Sequence, residues 1–267
     1  MRWTGNGLAD GTTLTTGNVN TPGNGDAVAH AGSGGSMVTA GDGFDLSGLA
    51  AGQVRRIDMA GTPDRAIVAQ LFFTPSAIPG VEGANERVLN ARSASANGTG
   101  LAFRTGGALG VEFGTATDLG SVSPTLIAGH RYQVDFVTAL ATSPTVSNGR
   151  IFYRVTDTDD PGWNSGAPFF YDTGYAGNAG TADLSILRVG KLLNGTIVGT
   201  WRFEQLGWAT TAVNPAHVSQ AAAEAYFLPS PYESGSREYA FTWDGSGYVP
   251  VAFYRWDGTG YVSVDKP

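Results

Sequence analysis

The sequence predicts an all-β protein: a large domain of two packed antiparallel sheets with one short surface helix, followed by a small β-hairpin extension. Three observations favour this fold class. The 267 residues include 39 glycines, a usage typical of strands joined by tight turns. Strand-like segments recur along the chain, whereas helical periodicity is confined to one segment. The length suits one large sandwich with an appendage.

Runs rich in β-branched and aromatic residues, bounded by turn residues, predict the strands of the large domain. Apart from one short strand, the first 35 residues are rich in Gly, Asn, Thr and Ser and predict a loop. The predicted strands are Ala27–Ala31, Val54–Ala60, Ala66–Phe73, Arg87–Ala94, Leu101–Arg104, Leu109–Phe113, Tyr132–Ala139, Arg150–Thr156, Phe169–Asp172, Leu184–Val189 and Ile197–Trp208.

Two of these strands also predict which residues face the core. In Tyr132–Ala139, Gln133 and Asp135 alternate with apolar neighbours, which predicts a half-buried strand with one wet face. In the last strand, Trp201 and Trp208 are seven positions apart. A regular strand therefore places them on opposite faces, with at least one of them in the core.

The surface helix is predicted near the end of the large domain, over Pro215–Tyr226. Asn214 can cap its first turn, and Pro215 suits the first helical position. The prolines after Leu228 prevent continuation and begin a linker. The predicted organisation is a domain over residues 1–228 with its core at about 27–227, a linker over 229–236 and a tail over 237–267.

The tail contains a short internal repeat. Residues 240–249 are echoed by residues 253–262, and each unit predicts a strand, an Asp-Gly turn and a second strand. Two hairpins bury little area alone, so we expect their aromatic residues to contact a partner chain, with packing onto the large domain as the alternative. The predicted interface consists of Tyr239, Phe241, Trp243, Tyr248, Tyr254, Trp256 and Tyr261.

Composition excludes several classes of protein. The net charge is −7 and no basic run occurs, which argues against nucleic-acid or anionic-membrane partners. The absence of cysteine excludes disulfides, zinc ribbons and cysteine catalysis. No apolar run reaches membrane-spanning length and the N-terminal residues lack a signal-peptide core, so synthesis in the cytoplasm is expected.

Catalytic patterns are missing along the sequence, and the prediction is therefore that the protein is not an enzyme. Glycosidases need two carboxylates flanking the scissile bond, but none of the seven glutamates has an acidic residue two places away on a convincing strand. Glu112 and Glu204 each stand alone. No Gly-x-Ser-x-Gly elbow occurs, and the three histidines lack the spacing of metal ligands.

One loop combines acidic residues with a tryptophan. Asp157, Asp159 and Asp160 place hard oxygen ligands close together, which makes calcium a possible cofactor, with a solvated loop as the alternative. Trp163 is either a lid on the core or an exposed platform for a sugar ring, beside Asn164. The candidate ligand-binding residues are thus Trp163, Asp159 and Asn164, and no other cofactor is expected.

The segment from Leu184 to Lys191, the strand from Gly195 to Trp208 and the capped helix resemble the end of a laminin-G-like, concanavalin A-like jelly-roll domain. Ala66–Phe73 and residues 126–134 resemble earlier strands of that family. The paired Trp-Asp-Gly units of the tail resemble repeats at the ends of minor tail proteins of bacteriophages, especially those of actinobacteria.

This double resemblance implies a viral protein located in the virion, a minor tail or receptor-binding component without enzymatic activity. It implies lectin-like recognition of a host surface glycan or of a partner virion protein, and assembly as a homo-oligomer, with a trimer expected from the likeness to tail fibres. Two alternatives stay open: a glycoside hydrolase or lyase on the same fold, and a purely structural decoration module.

Overall fold

The structure is a computed structural model that separates the chain into two compact units, Met1–Leu228 and Pro229–Pro267. It describes residues 2–3, 7–19, 28–32, 34–78, 86–93, 98–104, 106–113, 117–121, 123–140, 149–173, 183–192, 196–211, 241–243, 248–250, 254–256 and 261–263. Among these residues, none of the helices has the length and apolar character required to cross a membrane.

The first unit consists almost entirely of strands. They are β1 (Arg2–Trp3), β2 (Val28–Gly32), β3 (Ser36–Ala40), β4 (Gly43–Ser47), β5 (Arg55–Asp64), β6 (Ala66–Pro75), β7 (Glu86–Arg92), β8 (Thr99–Phe103), β9 (Leu109–Phe113), β10 (Thr117–Ser121), β11 (Tyr132–Ala139), β12 (Arg150–Asp157), β13 (Phe169–Asp172), β14 (Leu184–Lys191) and β15 (Thr200–Thr211). A short helix, α1 (Thr16–Val19), and a 3₁₀ turn over Trp163–Gly166 complete the described elements of this unit.

These strands form two antiparallel sheets. The larger sheet has the order β13-β12-β11-β6-β15-β4-β3, with β1 paired to β15, and the smaller has the order β10-β9-β8-β7-β14-β5-β2. One hydrophobic core draws buried residues from both sheets, such as Phe73 and Trp201 from the larger and Leu101 and Val189 from the smaller. The prediction of an all-β fold with two packed antiparallel sheets is confirmed.

Every predicted strand has a counterpart in the structure, with ends that differ by a few residues. The prediction missed β1, β3, β4, β10 and α1. The predicted helix at Pro215–Tyr226 lies outside the described residues. The missed strands β3 and β4 form a hairpin that pairs with β15 through β4, and β4 contributes Asp45 to a groove on this sheet.

The predicted wet face of β11 is wrong. All eight residues of β11 are buried, including Gln133 at 3% and Asp135 at 0% exposure. The alternation correctly separates polar from apolar residues, because Tyr132, Val134 and Phe136 belong to the core. It does not reveal that the polar face is covered, because burial depends on what other parts of the chain pack against the sheet.

The opposite placement that a regular strand would give Trp201 and Trp208 does not occur, since both side chains lie in the core. The register of β15 against β6 shifts between Glu204 and Gly207, and Gln205 has a φ of 51°. This β-bulge adds one residue to β15 and reverses its alternation. Residues seven positions apart therefore point to the same face when the bulge lies between them. Both tryptophans are core residues, as was expected of at least one of them.

The second unit contains two β-hairpins, as the repeat predicts. Strand β16 (Phe241–Trp243) pairs with β17 (Tyr248–Pro250), and β18 (Tyr254–Trp256) pairs with β19 (Tyr261–Ser263). The register is the same in both, because Trp243 pairs with Tyr248 and Trp256 pairs with Tyr261.

Candidate functional site

A polar groove of about 540 Å³ lies on the face of the larger sheet that points away from the core. Its position follows from strand alternation: Arg202 and Glu204 occupy this face because Trp201 and Phe203, their neighbours in β15, point into the core. Five charged side chains line the groove: Asp45, Arg131, Asp159, Arg202 and Glu204.

Strand register brings two of these charges together. Arg202 in β15 is directly opposite Asp45 in β4, and its guanidinium group donates to both carboxylate oxygens of Asp45, from Nε at 2.7 Å and from Nη2 at 2.9 Å. The hydrogen bond to Asp45 is the main cause that raises the pKa of Arg202 above its ordinary value. This two-pronged geometry fixes the orientation of both side chains at the floor of the groove.

A second ion pair involves Glu204, two residues after Arg202 on the same face of β15. Arg131, in the turn before β11, donates from Nε to the Glu204 carboxylate at 2.8 Å. The Arg131 guanidinium also stacks 3.7 Å above the ring of Phe72. Stacking on one side and pairing at the edge hold the guanidinium in one plane, and Glu204 is thereby positioned as well.

Backbone geometry beside Glu204 is unusual. Gln205 adopts a left-handed conformation that non-glycine residues rarely occupy, and its N–H donates to the carbonyl of Asp42 at 2.9 Å. Gly43 fits beneath this bulge because any Cβ there would overlap the carbonyl oxygen of Phe203. Bulges and strained residues often re-aim side chains at functional sites, and this one follows directly after Glu204.

The acidic loop after β12 contributes one residue to the groove. The Asp159 carboxylate accepts the backbone N–H of Arg131 at 2.9 Å and lines the groove. Asp157 is turned inward: its carboxylate contacts His130 Nδ1 at 2.8 Å and accepts the N–H groups of Asp159 and Asp160. Asp160 accepts the N–H of Gly162 at 2.8 Å.

These contacts bear on the predicted calcium site without deciding it. Asp157, Asp159 and Asp160 each use carboxylate oxygens to hold the protein's own donors. Within the described parts of the chain, no group of three or more His, Asp or Glu residues is placed to hold a metal ion. Calcium binding by this loop stays a prediction.

Trp163 covers the core and is not an exposed platform. Its side chain is 8% exposed, its ring meets Tyr132 edge-on at 5.4 Å, and its indole N–H donates to the carbonyl of Thr125 at 3.1 Å. The adjacent Asn164 has a φ of 50° and donates to the carbonyl of Ala167. Neither residue lines the groove. Ligand contact by Trp163 or Asn164 stays a prediction.

Further along the same face lies a buried polar cluster. The Asp135 carboxylate accepts hydrogen bonds from Gln70 at 2.8 Å, from Gln133 at 3.0 Å and from Arg154 Nε at 2.7 Å. Burial raises the pKa of Asp135 above its ordinary value, while Arg154 and the two amides act in the opposite direction. The cluster satisfies the polar groups that the sheet buries at its centre.

The aromatic interface predicted for the tail is only partly located. Tyr239 lies outside the described residues, and the side chains of the other six are not among the described parts. Their contact with a partner stays a prediction. These six residues lie on the hairpin strands: Phe241, Trp243, Tyr248, Tyr254, Trp256 and Tyr261.

Sequence reasoning missed the groove because its charges come from separate segments. Arg202 and Asp45 are 157 positions apart, and Arg131 and Glu204 are 73 apart. A search for acidic pairs on one strand cannot find such an arrangement. The available signal was the alternation of Arg202 and Glu204 with Trp201 and Phe203, which places two charges on the face opposite two core aromatics.

Comparisons with known proteins define the class of fold. No family model and no curated protein matches the chain. A solved structure of the alginate lyase Aly36B, in complex with alginate trisaccharide, superposes with a TM-score of 0.51 at 11% identity, over 79% of this chain and 98% of that one. An alginate lyase from Aplysia kurodai gives a TM-score of 0.48 at 7% identity, over 76% and 99%. Peanut lectin gives 0.40 at 14%, over 72% and 96%.

At these identities, the Aly36B likeness shows the fold alone. It confirms the predicted jelly-roll β-sandwich of the large domain. This likeness corrects the prediction that the protein is not an enzyme, because an alginate lyase shares the fold. That prediction searched for catalytic groups along single strands, and such a search cannot detect groups that neighbouring strands of a sandwich bring together.

Proposed function

We propose that the protein is a carbohydrate-active enzyme that binds a saccharide in the groove and cleaves its glycosidic bonds. The observation that carries the proposal is the pairing of carboxylates and guanidinium groups from different strands in one groove. Carboxylates accept hydrogen bonds from sugar hydroxyls, and guanidinium groups donate to them. The jelly-roll fold shared with an alginate lyase bound to its trisaccharide supports the proposal.

Glu204 and Asp45 are the two candidate catalytic carboxylates. Glu204 is two residues beyond the partner of Asp45 on β15, so the two occupy diagonal positions on adjacent strands. Diagonal neighbours of this kind have Cα atoms about 7–8 Å apart. Enzymes that cleave glycosidic bonds with two carboxyl groups hold those groups about 5–9.5 Å apart, one on each side of the bond, a separation that side chains on one face of diagonal residues can reach.

The test is turnover of a panel of neutral and acidic polysaccharides, followed through new reducing ends. Glu204→Gln is expected to abolish turnover while the thermal unfolding stays cooperative. Asp172→Asn is the matched control, because Asp172 pairs with Arg150 at the edge of the same sheet, outside the groove. The proposal would be contradicted if no polysaccharide were bound or cleaved. Equal turnover by the Glu204→Gln and Asp172→Asn variants would contradict it as well.

We also propose that this enzyme is carried on a bacteriophage virion, where it would act on a host surface glycan. The support is the resemblance of the tail repeats to those of phage minor tail proteins. The same resemblance supports attachment through the tail, either to other virion proteins or in a trimer. Deleting residues 229–267 is expected to abolish attachment to the particle and to leave turnover by the first unit intact; a deleted form that still joins the particle would refute this role for the tail.

A further inference from the structure

We infer that the groove takes an uncharged saccharide and not a polyuronate, an inference that rests on the proposed function. The observation behind it is the charge balance of the outward face. Four described arginines lie on this face, and each has a carboxylate partner. The pairs are Arg131 with Glu204, Arg150 with Asp172, Arg154 with Asp135, and Arg202 with Asp45.

The groove itself has an excess of negative charge. Its five charged side chains are three carboxylates and two guanidinium groups, which leaves one net negative charge because Asp159 has no guanidinium of its own in the groove. The whole chain has a net charge of −7, which adds a repulsive background for anionic polymers.

A polyuronate would have to compete with these internal pairs. Its carboxylates would either displace Asp45 or Glu204 from an arginine or share that arginine with them, and in both cases a second anion would face the protein's own carboxylate in the groove. Like charges placed together at a binding surface suppress the wrong partner.

An uncharged sugar meets no such competition. After accepting from an arginine, a carboxylate keeps lone pairs that can accept from hydroxyl groups. The rest of the groove includes the hydroxyl side chains of Thr74, Ser76 and Thr200, which can donate as well as accept. The pairs therefore serve an uncharged sugar as a fixed set of acceptors and donors.

The inference also selects the reaction. An uncharged sugar has no carboxylate to acidify the neighbouring C–H group, so cleavage is by hydrolysis. The oxygen of one water molecule forms a bond to the anomeric carbon, and the bond from that carbon to the leaving oxygen breaks. The leaving oxygen gains a proton from one carboxyl group, and the water loses a proton to the other, so that protons balance.

The sharpest test uses a matched pair of polymers, alginate and carboxyl-reduced alginate, which share a backbone and differ in charge, together with a set of neutral glucans, mannans and galactans. Binding is measured by affinity electrophoresis at low and high salt, and products are examined for reducing ends and for ultraviolet absorbance of unsaturated sugars. We expect a neutral polymer to bind at least about tenfold more tightly than any polyuronate, with little dependence on salt. Its products should carry reducing ends without unsaturation.

Asp159→Asn removes the surplus charge and retains an oxygen that can accept the N–H of Arg131. This variant is expected to bind polyuronates several-fold more tightly than the wild type, whereas Asp172→Asn leaves that affinity unchanged. Preference for a polyuronate, or unsaturated products, would overturn the inference and leave the proposed function standing. Failure of every polymer to bind would overturn both.

Discussion

Gly61→Ala tests the packing between the two sheets. Gly61 lies in β5 of the smaller sheet, and a Cβ at this position would stand 2.6 Å from the outer ring of Trp208 in β15 of the larger sheet. Carbon atoms in ordinary contact are about 3.5–4.0 Å apart, so the indole must retreat by about 1 Å. Trp208 is only 4% exposed and has little room to move.

Overpacking of this kind costs about 1–3 kcal/mol. For a unit of this size the loss corresponds to a fall in melting temperature of about 2–12 °C. Urea unfolding should give the free-energy change directly. Gly17→Ala is the matched control, because a Cβ there meets only the Thr15 hydroxyl at 3.8 Å and lies in α1, where alanine is favoured.

The decisive measurement is the double-mutant cycle with Trp208→Phe. The smaller ring withdraws the atoms that meet the new Cβ, so the double variant should be more stable than the sum of the single changes predicts, by about 1 kcal/mol or more. Strict additivity would refute the reasoning. It would mean that the Trp208 ring does not face Gly61, as in a regular strand without the bulge.

Three further predictions concern the rest of the sandwich. Trp163→Ala removes the edge-on contact with Tyr132 and should lower the free energy of unfolding by about 3–5 kcal/mol in urea; an unchanged stability would show that the ring is not part of the core. Burial raises the pKa of Tyr153, so above the ordinary tyrosine value of about 10 the unfolded chain loses a proton that the folded chain keeps. The free energy of unfolding should then fall by about 1.4 kcal/mol per pH unit for this residue, and Tyr153→Phe should reduce that slope; an unaltered slope would contradict the burial effect. Lys191→Met removes the cation beside Glu86, where both side chains are buried, and should lower the free energy of unfolding by about 3–5 kcal/mol. Adding Glu86→Leu should recover most of this loss. A double variant that is no more stable than Lys191→Met alone would contradict this account.

Much of the fold follows from local patterns. The strands from β5 to β15, with the exception of β10, were predicted because alternation, β-branched residues and turn residues act over a few positions. The hairpins of the tail were predicted for the same reason, since an Asp-Gly turn between short aromatic strands specifies its own pairing. Strands β3 and β4 were missed although Phe44 and Leu46 alternate with polar residues, because each strand has only five residues and glycines flank the pair.

The candidate site could not be predicted in the same way. Asp45, Arg131 and Glu204 come from different parts of the chain, and only the register of neighbouring strands brings them to one groove. The sequence indicated that Glu204 stands on a strand. It could not show that Arg131 pairs with it or that the carboxylate of Asp45 lies on the adjacent strand.

By itself, then, the sequence determined the all-β class, the positions of most strands and the two hairpins of the tail, because these depend on interactions between near neighbours. The tertiary structure decided which faces are buried. The single extra residue at Gln205 reverses the alternation of β15 and sends both Trp201 and Trp208 into the core. Gln133 and Asp135 are buried in a cluster with Gln70 and Arg154, which come from the strands on either side of β11, and no local pattern in the sequence records which strands will be neighbours.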